Sequence, residues 1–126
     1  MITILITGVA GFIGSNLAER LIKLKEYKVI GIDNLSYGVR SQVPDEVDFY
    51  SCDIRSKEIY KLFNGVDYVF HFAAKNSIID CQNDPFDTVD INVLGTVNVF
   101  EASCVAGIKI KKPGNMPGSF SVEHSN

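Results

Sequence analysis

The sequence predicts a doubly wound α/β domain, a parallel sheet with helices on both faces. Short apolar, β-branched runs alternate with amphipathic stretches along the chain, the pattern of successive right-handed βαβ crossovers. The first run, "ITILI", is continuous in apolar residues except for one threonine, as a strand covered on both faces requires. It leads at once into "TGVAGFIG", with glycines at positions 8, 11 and 14, and then into residues at helical spacing.

Residues 2–6 form the first strand. Leu17, Ala18, Leu21, Ile22 and Leu24 then recur at helical spacing with Asn16, Glu19, Arg20 and Lys23 between them, so the first helix lays one face on the sheet. "YKVIGID" is the second strand, "VDFYSCD" the third, residues 56–63 a short helix and "VDYVFHFAA" the fourth strand. Asp84-Pro85 is a helix start, and Phe86, Val89, Val93, Val97, Phe100 and Cys104 follow at intervals of three or four residues. One long, half-buried helix ending near Gly107 is expected. Beyond Ile110 the prolines and glycines of "PGNMPG" end both the strand and the helix period. Residues 1–110 are therefore expected to form the domain, and residues 111–126 an irregular or disordered tail.

A chain of 126 residues, 46% hydrophobic and 21% charged, has the composition of one domain with a core. A net charge of -3 with scattered lysines offers no basic face for nucleic acid. Cys52, Cys81 and Cys104 lie far apart, giving neither a CxxC pair nor a disulfide framework, and they read as reduced thiols of a cytoplasmic protein. The apolar N-terminus has no basic flank, is broken by glycines and is too short to span a bilayer. No membrane partner is expected. His71 and His124 have no cysteine or carboxylate at ligand spacing, so no metal site is expected either.

The glycine run carries the chemistry. At the turn from a strand into a helix, Gly8, Gly11 and Gly14 suit a tight turn, a close backbone approach to a pyrophosphate and close helix–strand packing. The helix start then offers the N–H groups of Phe12 and Ile13 to phosphate. The alternative is a glycine-rich turn with no ligand. Asp33, at the end of the second strand, is placed to accept both hydroxyls of an adenosine ribose; otherwise it is a solvated turn carboxylate. At contact distance it would repel a 2′-phosphate by about 1–4 kcal/mol, which favours NAD over NADP, a preference that Arg40 could soften. Asp53 and Ile54 suit the amino edge and the face of an adenine. His71, inside "VFHF", reads as a satisfied core histidine.

Together "ITGVAGFIGSNLAERL", "GIDNLSYG", "CDIR", "VFHFAA" and "DPFDTVDINVLGTVNVFEA" resemble the extended short-chain dehydrogenase/reductase family, and within it the epimerases and dehydratases of nucleotide sugars. The resemblance covers residues 1–109. It implies a Rossmann-like doubly wound parallel sheet, here cut short after about four strands and the long following helix. It further implies NAD contacts from Phe12 and Ile13, from Asp33, Asn34, Leu35, Ser36, Tyr37 and Gly38, and from Asp53 and Ile54. Phe72, Ala73, Ala74, Lys75 and Asn76 are implied as contacts too, as is Asn92 of "NVLGT". Ser77 and Cys81 fall where such proteins line the nicotinamide and sugar pocket, with residues unlike the commoner ones.

The family's chemistry uses a Tyr-x-x-x-Lys pair with a nearby Ser or Thr. None of the five tyrosines has a lysine four residues on: Gly31, Ser41, Ile54, Asn64 and Phe72 stand there. A serine-bearing fifth strand and a tyrosine-bearing helix are also implied, and "KIKKPGNMPGSFSVEHSN" stands in their place. The reading is thus of an NAD-binding portion without catalytic residues, which would take a nucleotide sugar only if completed by further residues. The alternative is a non-enzymatic NAD-responsive module acting through a protein partner. A sheet edge and a helix face left bare would favour self-association.

Overall fold

A computed structural model describes residues 1–108; the expected tail and the expected domain end at 110 lie outside the described residues. Strands β1 (Ile2–Thr7), β2 (Tyr27–Asp33), β3 (Asp48–Ser51) and β4 (Tyr68–His71) pair in parallel in the order β3-β2-β1-β4. The second strand has the bounds the sequence indicates. The third and fourth stop earlier than expected, because the chain turns aside to satisfy local polar groups. Past β3 the Asp53 carboxylate accepts the Arg55 N–H, and past β4 the Ala73 N–H turns to the Thr7 hydroxyl.

Alternate residues of the central strands feed two cores. Ile4, Ile6 and Val29 pack with Ala18 and Leu21 of α1 (Phe12–Leu24) on one face. Leu5, Ile30 and Ile32 pack on the other with Ile59 and Phe63 and with Val99 and Ala102. The short helix expected at 56–63 is a 3₁₀ helix over Lys57–Phe63, capped by the Ser56 hydroxyl and anchored by Ile59 and Phe63, which are fully buried. Burying each of those two side chains is worth about 1.5–3 kcal/mol.

The long helix is continuous but not uniform. It runs through α3 (Pro85–Val89), a π-helical turn (Asp90–Gly95) and α4 (Thr96–Val105). Its start follows from sequence: Pro85 occupies the first turn and the Asp84 carboxylate accepts the Asp87 N–H at 3.0 Å. A short helix α2 (Ile78–Asn83), which the sequence reading does not anticipate, precedes it, with Ser77 as its cap.

Buried Asn98 ties this helix to the loop after β3. Its Nδ2 donates to the Ile54 and Ser56 carbonyls at 2.7 and 2.9 Å. Its Oδ1 accepts from Lys57 Nζ and from the Tyr60 hydroxyl at 3.1 and 3.2 Å. Asn98→Leu, similar in bulk, leaves the buried carbonyl of Ile54 without its donor. The expected loss is about 1–3 kcal/mol of unfolding free energy, read as a lower urea midpoint at unchanged slope.

Candidate functional site

Strand order reverses direction at β1: β2 and β3 lie to one side of it and β4 to the other. The crevice at the carboxyl ends of strands at such a switch point is where open α/β sheets bind ligands. A cleft of about 430 Å³ opens there.

One wall is the glycine loop. Gly8 has φ +71°, and a Cβ there would lie 2.7 Å from the Ala73 nitrogen. At Gly14 a Cβ would run into the Gly8 carbonyl, so this glycine sets the approach of α1 to the β1 turn. Gly11 differs: a Cβ would meet only the Gly8 oxygen at 3.3 Å. The space in front of it belongs to the cleft. Gly11 is also the N-cap of α1, which has no side-chain cap and no acidic residue in its first turn. The first amides, at Phe12 and Ile13, are left for an anion.

Asp33, almost fully buried, lies on the cleft floor. Its Oδ2 accepts the Ala10 N–H at 3.0 Å and its Oδ1 the Leu35 N–H at 2.8 Å, so backbone amides fix the carboxylate. Asn34, Ser36, Tyr37 and Gly38 also line the cleft. Leu35 does not: with φ +61° it turns back and packs against the α1-side core. Arg40 is engaged elsewhere, its guanidinium 4.5 Å from the centre of the Phe49 ring and its Nη1 3.5 Å from the Val43 carbonyl.

Asp53 and Ile54 line the next part, with Cys52 and Ile91 beside them. Burial pushes the Cys52 thiol up, with Glu58 adding to it, so it is no ready nucleophile. The Asp53 carboxylate is saturated. Arg55 gives Oδ1 its backbone N–H and its Nε, both at 2.9 Å, and gives Oδ2 its Nη2 at 2.8 Å. Asn34 Nδ2 adds a longer bond to Oδ2 at 3.2 Å. These fill the four acceptor positions of a carboxylate, so an incoming amino group would displace Asn34, the weakest holder. The Arg55 side chain holds the Asp53 pKa down to about 2. Arg55 Nη1 also reaches Asp87 at 3.1 Å and Asp90 at 2.9 Å on the long helix, and this guanidinium is held more firmly protonated than usual.

The opposite wall is the segment leaving β4, where Phe72, Ala73, Ala74, Lys75 and Asn76 line the cleft. Lys75 is buried; its Nζ donates to Asp87 at 3.0 Å, which raises the lysine's proton affinity and lowers that of the carboxyl. Asn92 is not part of the lining. Its amide is spent on the wall, Oδ1 accepting the Lys75 N–H and Nδ2 donating to the Lys75 carbonyl, both at 2.8 Å. Ser77 and Cys81 lie outside the lining as well: Ser77 caps α2, and Cys81 Sγ sits 3.5 Å from the Lys75 carbonyl. His71 lies beneath the wall, between Thr7 and Thr96.

Sequence reasoning missed Arg55, Asp87, Asp90 and Thr7. A signal existed for Arg55, since a guanidinium two residues from a carboxylate can fold back on it. Asp87 and Asp90, spaced three apart at a helix start, could have been matched to it. Among the described residues no group of three potential metal-ligating side chains occurs, and no helix is long and apolar enough to cross a membrane.

The sequence model of the NAD dependent epimerase/dehydratase family matches residues 4–112. The UDP-glucose 4-epimerase of Streptococcus mutans is 33% identical over 110 residues, covering 84% of this chain and 33% of that protein. The structure of UDP-glucose 4-epimerase from Thermotoga maritima, solved with UDP-glucose, superposes with a TM-score of 0.82 at 35% identity, over 86% of this chain and 36% of the other. That of the Thermus thermophilus enzyme, in complex with NAD, gives 0.78 at 35% identity over 86% and 35%. The chain spans about a third of the length of these relatives, and it matches their N-terminal, NAD-binding portion.

The Asp53–Arg55 pair has a testable acid signature. Because the folded carboxyl titrates near 2 against an ordinary 3.8, its contribution is fully present above about pH 4 and is lost as the pH falls toward about 2. Arg55→Met should cost about 1–3 kcal/mol at neutral pH and flatten the decline of stability in that acid window. Urea titrations of both chains across the window provide the check.

Proposed function

The chain belongs to the NAD dependent epimerase/dehydratase family, and we propose that it forms that family's dinucleotide site, binding NAD in preference to NADP. The observation that carries this is the junction of an uncapped helix N-terminus with Asp33, two features of opposite electrostatic sign in one cleft. The amides of Phe12 and Ile13 suit a pyrophosphate. Asp33 suits ribose hydroxyls, since each of its oxygens keeps a lone pair after binding a backbone amide. A 2′-phosphate would face this fixed carboxylate at a cost of about 1–4 kcal/mol. With Asn34 displaced, Asp53 would take the adenine amino group, over Ile54. Loop 34–38 would flank the adenosine and wall 72–76 the nicotinamide half, with Leu35 and Asn92 acting through the positions of these segments.

The sequence supplies cofactor binding without the proton-transfer pair: no tyrosine in it has a lysine four residues on. Epimerisation or dehydration of a nucleotide sugar therefore belongs to this site only in company with residues beyond these 126. The three separated thiols, all free, accord with a cytoplasmic location. An exposed apolar stripe, Phe86, Val89, Val93, Val97 and Phe100, runs along one side of the long helix, and it supports self-association.

Calorimetry should show NAD binding at least about fivefold tighter than NADP, the low end of that repulsion (~1 kcal/mol). Gly11→Val should abolish binding with helix content preserved, because its side chain enters the cleft and not the fold. Equal affinity for the two cofactors, or normal binding by the variant, refutes the assignment. Sedimentation should show concentration-dependent association, weakened in a Val93→Lys, Val97→Lys double variant; a monomer at every concentration refutes that part.

A further inference from the structure

We propose that His71 is a positioning residue of the cofactor cleft, locked as the neutral Nε2–H tautomer between Thr7 and Thr96, and that wall 72–75 keeps its binding geometry only in that proton arrangement. The proposal rests on the cofactor reading above for its consequence, but on hydrogen-bond counting alone for its tautomer.

The proton positions follow from each group's capacity. The Thr7 hydroxyl, fully buried, accepts the Phe72 N–H at 3.1 Å and the Ala73 N–H at 3.2 Å. A hydroxyl has two lone pairs and one proton, so the proton that remains points at His71 Nδ1, 2.6 Å away. Nδ1 must therefore be bare. On the other side the Thr96 hydroxyl donates to the Asn92 carbonyl at 2.7 Å. Facing His71 Nε2 at 2.9 Å it has only lone pairs to offer, so Nε2 carries the hydrogen. The chain of donors runs one way, from Thr7 through His71 and Thr96 to Asn92.

Both ends of that chain hold the wall. Thr7 fixes the Phe72 and Ala73 amides, and Asn92 clamps the Lys75 N–H and carbonyl. The Ala73 nitrogen is also the atom that a Cβ on Gly8 would strike, so the wall position and the glycine loop are set together. A second proton on the imidazole would turn Nδ1 into a donor aimed at a hydroxyl whose lone pairs are in use. The Phe72 N–H retains the Thr7 carbonyl at 3.1 Å, but one proton in a buried pocket is left without an acceptor.

The groups facing the ring are the uncharged hydroxyls of Thr7 on β1 and Thr96 on α4. Among the described residues no charged side chain contributes to its proton affinity, and burial alone pushes it below the ordinary histidine value. The fold thus favours neutral His71. That contribution is complete above the ordinary histidine pKa and is lost as the pH falls through it toward the folded value.

Nitrogen-resolved NMR of the imidazole in the 126-residue chain should find Nε2 protonated and Nδ1 bare near neutral pH. The opposite tautomer overturns the proposal. Without any cofactor, the Ala73 amide should be protected from hydrogen exchange while His71 is neutral and lose protection once it is charged, with the Ile30 and Ile32 amides unchanged. Unaltered Ala73 protection across the His71 titration overturns it too. NAD affinity, measured on both sides of the His71 titration as the same NMR follows it, should fall about tenfold per pH unit below that titration, as the competent fraction does. His71→Gln, which does not titrate and keeps a donor toward Thr96, should give a flat profile; a profile shared with the unaltered chain counts against the proposal. Absence of NAD binding at every pH defeats the cofactor reading instead, and the tautomer and exchange measurements still decide the role of His71.

Discussion

The backbone leaving β1 and the backbone leaving β4 pass in contact at Gly8, with no room for a Cβ between that residue and the Ala73 nitrogen. This approach is possible because β4 lies directly beside β1, and it draws the rest of the cleft after it. The positive φ of Gly8 turns the chain toward α1, and Gly14 lets the helix settle on the Gly8 carbonyl. The helix N-terminus therefore opens into the space between the two diverging segments. A side chain at either position would move one wall against the other. At Gly11 it would leave both walls in place and fill what they enclose.

Polar ties hold the long helix over this space. Asp87 and Asp90 grip Arg55, Asn92 clamps Lys75 and Asn98 holds the carbonyls of Ile54 and Ser56. In a regular α-helix, residues five apart, such as Asp87 and Asn92, point about 140° away from each other. The i→i+5 turn over Asp90–Gly95 narrows that angle, so that one helix serves both the Asp53 side of the cleft and the Lys75 side. Gly95 completes the fit, since a Cβ there would lie 2.7 Å from Ile54 Cδ1. The uninterrupted hydrophobic spacing in "DPFDTVDINVLGTVNVFEA" does not reveal this turn, because its cause is long-range: the partners of Asn92 and Gly95 lie in segments 17 and 41 positions earlier in the chain.

That contrast describes what was legible. β1, α1 and β2 were readable because local pattern and tertiary demand agree there: continuous apolar residues in a doubly covered strand, and glycines at a turn whose geometry needs them. Asp33 was readable by position, at the end of a strand beside that turn. The 3₁₀ winding of Lys57–Phe63 and the inward use of Asn92 were not, since nothing within a few residues specifies them, and the short helix Ile78–Asn83 was missed although its Ser77 cap is a local signal. His71 was read as a satisfied core histidine, and its satisfaction by two threonines on different elements could come only from the packed structure.

Selectivity in such a cleft depends as much on immobility as on charge. A carboxylate free to rotate would yield to a 2′-phosphate or let a cation intervene. Asp33 has neither freedom, because each of its oxygens is bonded to a backbone amide, one in the glycine loop and one in its own turn. Nor does Arg40 supply a cation here, since its guanidinium lies over the Phe49 ring. The contact with Ala10 gives the arrangement a second consequence. The same carboxylate that would meet the ribose also ties the glycine loop to the end of β2, so Asp33→Asn would put an amide where only acceptors fit. One of its two backbone donors would then face an N–H₂ group or lose its partner. The loss would reach the loop geometry before it reached any ligand, and a change at Asp33 is therefore read correctly only alongside Gly11→Val, which alters the cleft and spares the loop.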